Sequence, residues 1–101
     1  MTEGVSREDV WKRLKGIMHP EIDSNLVDLG MIKDVDIVGK RVTVILALPF
    51  LWVPLRDKLI HLVEENLTEM GKDVEVDVKL VEMSQKERSK FFTMARKLWK
   101  L

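Results

Sequence analysis

Two prolines bracket four large apolar residues in the stretch Val42 to Leu59, VTVILALPFLWVPLRDKL, and this limits what the chain can become. Val42, Val44, Leu46 and Leu48 alternate with Thr43, Ile45 and Ala47, the two-residue period of a strand. Pro49 stops that strand, because it has no N–H to give to a ladder. After Pro54, which suits the first position of a helix, Leu55, Leu59, Val63, Leu67 and Met70 recur at helical spacing. The intervening Phe50-Leu51-Trp52-Val53 occupies a strand-to-helix connection, where polar turn residues are the rule. Such connections often carry function, and this composition points to an adhesive surface rather than a catalytic one. The competing reading is that the last helix covers the loop as core.

The neighbouring segments complete a topology. Ser6, with Asp9 three residues on, starts a helix over about residues 7–17, whose apolar face is Val10, Trp11, Leu14 and Ile17. Met18-His19-Pro20 ends it, since the residue before proline is biased away from helix. Residues 31–38 alternate imperfectly and read as a half-buried strand, joined by a Gly39-Lys40 turn to the strand over 41–48. Gly71 falls where a left-handed helix cap is expected. Val74, Val76, Val78 and Leu80 alternate with charged residues as a one-sided strand. Ser84 and Glu87 form a capping box ahead of a helix over 84–99, polar in its first turns and apolar later at Phe91, Phe92, Ala95, Leu98 and Trp99. The order α-β-β-α-β-α predicts an α/β (α+β) two-layer sandwich on a three-stranded mixed sheet. The first two strands form an antiparallel hairpin, and the second and third run parallel through a crossover helix.

At 101 residues the chain is expected to be one domain. Seventeen basic residues balance seventeen acidic ones, which argues against a surface built to neutralise nucleic-acid phosphates. The basic run Lys86, Arg88, Lys90, Arg96, Lys97 and Lys100 reads as a solvated helix face. No stretch is long and apolar enough for a membrane span, and the polar start MTEGVSRED has no signal-peptide core. There is no cysteine, which fits a cytoplasmic protein and removes any thiolate site. A charged fraction of 34%, with one Gln and two Asn, is of the thermophilic kind. His19, Glu21, Asp23 and Asp28 offer nitrogen and oxygen donors for a metal, but without fixed spacing they read better as a turn-forming acidic loop. Asp28 is expected to accept from backbone amides near Gly30, and Gly30 to take a conformation costly for other residues. His61 reads as a surface histidine on the second helix. No nucleophile–base pair or phosphate loop can be assembled, so no enzyme activity and no cofactor are expected.

Pro20-Glu21-Ile22, the run Asn25-Leu26-Val27-Asp28-Leu29-Gly30-Met31-Ile32, the Val42–Leu48 strand and the turn ending at Pro54 together resemble the iron–sulfur cluster assembly domain family, of the SufT and PaaD type. The resemblance spans about residues 7–81, with a weaker likeness of the 84–99 helix to a tail of some short members. It implies the fold argued above, and a small adaptor or scaffold in iron–sulfur protein maturation that works through assembly or client proteins. Its motif loop maps onto Pro20, Glu21, Asp28 and Gly30; the partner surface at Phe50, Leu51, Trp52 and Val53 is read from their apolar composition, and could serve self-association into a homodimer, partner binding, or both. Family members usually carry a cysteine where this chain has Val53, and an aspartate where it has His19. A valine cannot act as ligand or nucleophile. The fold, the acidic loop and protein binding are what the resemblance transfers. The rival readings are an accessory subunit of a multicomponent enzyme, as in the PaaD branch, and a metal site built on His19, Glu21 and Asp28.

Overall fold

The computed structural model describes residues 5–100; the polar start at 1–4 and residue 101 lie outside it. The elements are α1 (Arg7–Lys15), β1 (Ile32–Val38), β2 (Arg41–Leu48), α2 (Arg56–Thr68), β3 (Glu75–Glu82) and α3 (Gln85–Leu98), in the expected order α-β-β-α-β-α. The sheet order is β1-β2-β3, with β1 antiparallel and β3 parallel to the central β2. Val42, Val44, Leu46 and Leu48 are fully buried, as the central position of β2 requires. Against them pack Val10 and Leu14 of α1 and Leu59, Val63 and Leu67 of α2, each at most 1% exposed.

The imperfect alternation of β1 has a physical cause. Ile32 pairs with Leu46 but Asp34 pairs with Ile45, so Lys33 is one residue too many and the strand bulges. The bulge lets Ile32 and Val35, three apart, both face the core. Lys33 and Asp34 are left outside, where they pair with Glu87 and Arg7. In β3 the alternation is regular, yet Val76, Val78 and Leu80 are only half-buried. Periodicity reports a face, not a depth, and β3 is an edge strand.

Several boundaries differ from expectation. α1 stops at Lys15, where Gly16 caps it through bonds to Arg13 O and Leu14 O, although Ile17 beyond it is still buried. α2 starts at Arg56 rather than Pro54. Val53 O accepts from the Arg56 amide in a preceding turn, and Leu55 at the N-cap offers no side-chain acceptor. Gly71 is not in the left-handed region; among the described residues only Gly30 and Gly39 have positive φ, at 78° and 61°. The capping box of α3 is present, Ser84 Oγ accepting from Glu87 N while the Glu87 carboxylate accepts from Ser84 N. Those bonds hold the Glu87 carboxyl below its usual range.

The C-terminal half of α3 docks on its own chain. Phe91 and Ala95 are buried, the Asp23 amide donates to Leu98 O, and Trp99 forms a β-bridge with Ile22. The first turns are not wholly in water as expected. Arg88 reaches back to donate to Pro49 O at 2.8 Å and Met83 O at 2.9 Å.

Candidate protein-contact site

The site stands at the C-terminal end of β2, between the 16–31 connection and α3. Its floor is a small loop. Met18 and Asn25 bridge across its base, and Pro20-Glu21-Ile22 forms its tip. The His19 ring sits inside it, only 4% exposed. His19 Nδ1 accepts from the amides of Glu21 and Ile22, at 3.0 and 3.2 Å, which ties the tip down and leaves the ring proton on Nε2. Burial lowers the His19 pKa; Glu21 pulls against that shift and Lys100 adds to it. A carboxylate, which the resemblance places here, would accept the same two amides, so a neutral imidazole fills an acceptor's role. Sequence reasoning placed His19 in a turn-forming loop but did not foresee this acceptor role.

The run Asn25 to Met31 is a single helical turn with a complete stop signal. Asn25 Oδ1 accepts from the Asp28 amide at 2.8 Å, and Asn25 Nδ2 donates to Asp28 Oδ2 at 2.9 Å. Gly30 N donates to Val27 O and Met31 N to Leu26 O, the two bonds of a Schellman cap with Gly30 in the left-handed position. Leu26 and Met31, the residues such a cap brings together, are both buried. Gly30 therefore does what was expected of it, whereas Asp28 pairs with the Asn25 side chain and not with amides near Gly30. Glu21 contributes its carbonyl, which accepts from the Lys100 amide at 2.9 Å. His19, Glu21, Asp23 and Asp28 are not gathered into a ligand set: among the described residues no three His, Asp or Glu side chains stand together as for a metal ion. The motif loop is a structural corner in which His19 Nδ1 and the Asp28 carboxylate are already engaged.

Above this floor, the Phe50–Val53 loop presents the exposed surface. Trp52 is 76% exposed and Leu51 41%, while Phe50 and Val53 are partly buried. Trp52 stacks on Phe50 at 5.5 Å between ring centroids, Phe50 leans on Phe92 at 6.4 Å, and Phe92 meets Phe91 edge-on at 5.4 Å. The Arg88 guanidinium lies 4.7 Å over the Phe50 ring, so the arginine that holds Pro49 also clamps the aromatic row. The last helix thus supports the loop from below through Phe91 and Phe92 without covering Trp52. Beside Val53 opens a mostly apolar cavity of about 340 Å³, walled by His19, Val53, Leu59, Phe91, Phe92 and Trp99. Phe92 and Trp99 on its rim are themselves 41% and 50% exposed. His61 carries no resolved contact that would bring it into the site. The cavity and the Arg88 clamp could not be read from the sequence, because both depend on how α3 folds back.

A model of the iron–sulfur cluster assembly protein family matches residues 7–78, most of the chain. The chain belongs to that family. Solved structures agree with the fold. A conserved hypothetical protein of Thermotoga maritima superposes with a TM-score of 0.68 at 27% identity, covering 90% of this chain and 98% of that one. A domain of unknown function from Bacillus anthracis gives 0.67 at 19% identity, over 87% and 90% of the two chains. The solution structure of a Mycobacterium tuberculosis protein, described as associated with Fe-S complex assembly and repair, gives 0.55 at 21% identity over 89% and 79%. None of the curated proteins compared with the chain matches it significantly. Within the iron–sulfur cluster assembly family, this member has no cysteine, and Val53 lines a cavity at the position where the resemblance expects one.

Proposed function

We propose that this protein is a non-enzymatic, cytoplasmic adaptor or scaffold in iron–sulfur cluster assembly or iron–sulfur protein maturation, acting through protein contacts at the Phe50–Val53 loop. The observation that carries this reading is Trp52, exposed at 76% on a loop packed from beneath through Phe50, Phe92 and Arg88. A large exposed aromatic on a fixed support loses little conformational freedom on binding, which is the property of an interface anchor. Membership of the family and the description of the Mycobacterium tuberculosis neighbour support the process. The absence of cysteine supports a role in holding proteins rather than a thiolate-bound cluster. The test is affinity capture from the native cell with wild type and Trp52→Ala in parallel. Iron–sulfur assembly components or clients should be retained by the wild type and depleted by the variant. Equal recovery on both, or recovery of no such protein, would refute the reading.

A further inference from the structure

Trp52 is an exposed knob, and Val53, the next residue in the chain, lines the cavity. We propose that the occupant of this cavity is Trp52 of a second copy of the chain, inserted reciprocally across a two-fold axis. The inference rests on reading the loop as a contact surface; it makes a second copy the loop's partner in the free protein, a contact that a client engaging Trp52 has to displace.

Size permits the fit. A closed cavity of about 150 Å³ already takes benzene, and this one, at about 340 Å³, has room for an indole. Position permits the symmetry. An isologous interface uses the same patch twice, so knob and hole must lie close together and close to the axis. Here they are neighbours in the chain, since Val53 both follows Trp52 and lines the cavity. Area is sufficient. Trp52, Leu51, Phe92 and Trp99, at 76%, 41%, 41% and 50% exposure, offer roughly 450 Å² of side chain per copy, or about 900 Å² for two. With its polar rim such a patch reaches the ~1,000 Å² that a specific interface requires. A patch of that size is also at the upper end of what single chains leave uncovered. Electrostatics does not oppose the contact: the chain is neutral overall, and the patch carries both signs, Glu21 at the cavity wall and Arg56 donating to Leu51 O, so a self-facing patch need not repel itself.

Reciprocity gives a decisive experiment. Wild type has two knob-in-hole contacts per dimer, Trp52→Ala has none, and Val53→Phe, which narrows the hole, also loses both. A mixture of the two variants regains one, the Trp52 of the Val53→Phe copy entering the open cavity of the Trp52→Ala copy. Sedimentation velocity over a concentration series should show wild type shifting from monomer to dimer. Each variant alone should dissociate at least 100-fold more readily, and the mixture should recover an intermediate affinity. Thermal melts establish that both variants are folded; if Val53→Phe is not, Leu55→Phe, at another lining position, narrows the same cavity. Wild type that stays monomeric up to millimolar concentration, unchanged dimerisation of Trp52→Ala, or a mixture no better than its parts would each overturn the proposal. A monomeric wild type whose capture of client proteins still depends on Trp52 would assign the cavity to a client and leave the adaptor reading standing. Loss of client capture with an intact Trp52-dependent dimer would do the reverse.

Discussion

Replacing His19 tests the floor of the site, and its size follows from the two amides the ring serves. Leucine at this position fills the space but accepts nothing. The Ile22 amide, which is buried, and the partly buried Glu21 amide both lose their acceptor. Leaving a buried donor unpaired costs about 1–3 kcal/mol, so His19→Leu should destabilise by roughly 2–4 kcal/mol, against a total near 5–10 for a domain of this size. His19→Asn places an amide oxygen near the Nδ1 position and should cost roughly 1 kcal/mol or less. The same contact predicts a pH dependence. Burial lowers the folded His19 pKa below the unfolded value. The folded state therefore resists a proton that the unfolded chain accepts. The stabilisation is complete above the unfolded pKa, about 6.5, and is lost as pH falls from there towards the folded value. A single proton sets a limiting slope of about 1.4 kcal/mol per pH unit. Urea titrations followed by tryptophan fluorescence at pH values from about 7.5 to 5.5, a range that brackets the ordinary histidine pKa, measure both effects. His19→Asn should be nearly as stable as wild type at the upper end and should lose the acid slope. A His19→Leu variant as stable as wild type, or a His19→Asn variant that keeps the whole slope, would show that the ring does not hold the loop.

Three other expectations follow from the same geometry. Gly30, at φ 78° with nothing within 4 Å of an added Cβ, should be sensitive to backbone conformation alone: Gly30→Val should cost more than about 1 kcal/mol and Gly30→Asn distinctly less, and equal losses in chemical denaturation would refute the left-handed account. Trp52→Ala removes only the buried quarter of that side chain, about 60 Å² or roughly 1.5 kcal/mol at most, whereas Phe91→Ala should cost about 3–5 kcal/mol; unfolding midpoints at low protein concentration that rank them the other way would make the loop core. Anaerobic reconstitution with iron and sulfide, followed by desalting, should leave the protein colourless, because it has no cysteine; a stoichiometric visible charge-transfer band would point to histidine and carboxylate ligands.

The topology was legible because each element announces itself locally. Val42 to Leu48 alternates, Leu59, Val63 and Leu67 keep helical spacing, and Ser84 with Glu87 caps α3 as read. The Val27-Asp28-Leu29-Gly30 corner was also legible at Gly30, since a glycine closing a polar-apolar turn before a strand signals positive φ. What escaped the sequence is what depends on distant partners. Arg88 looked like one of several solvated cations until Pro49 O, thirty-nine residues away in the chain, was seen to accept from it. His19 was read as part of a turn-forming loop, but its role as acceptor for two amides was not legible, because only the folded loop shows its Nδ1 facing them. Gly71 misled because helix α2 ends at Thr68 and relaxes through turns that need no left-handed residue. The exposure of Trp52 followed from chemistry the sequence does carry: four consecutive bulky apolar residues cannot all turn inward from a short connection.

The adaptor claim meets its most direct test in cells that depend on this protein. The native chain would be replaced by Trp52→Ala at matched abundance, and the activity of iron–sulfur enzymes measured alongside the amount of each enzyme. The account predicts that activity per enzyme molecule falls while the variant remains folded and the enzymes remain present. Iron–sulfur activities equal to those with the wild-type chain, from a stable variant at matched abundance, would contradict it.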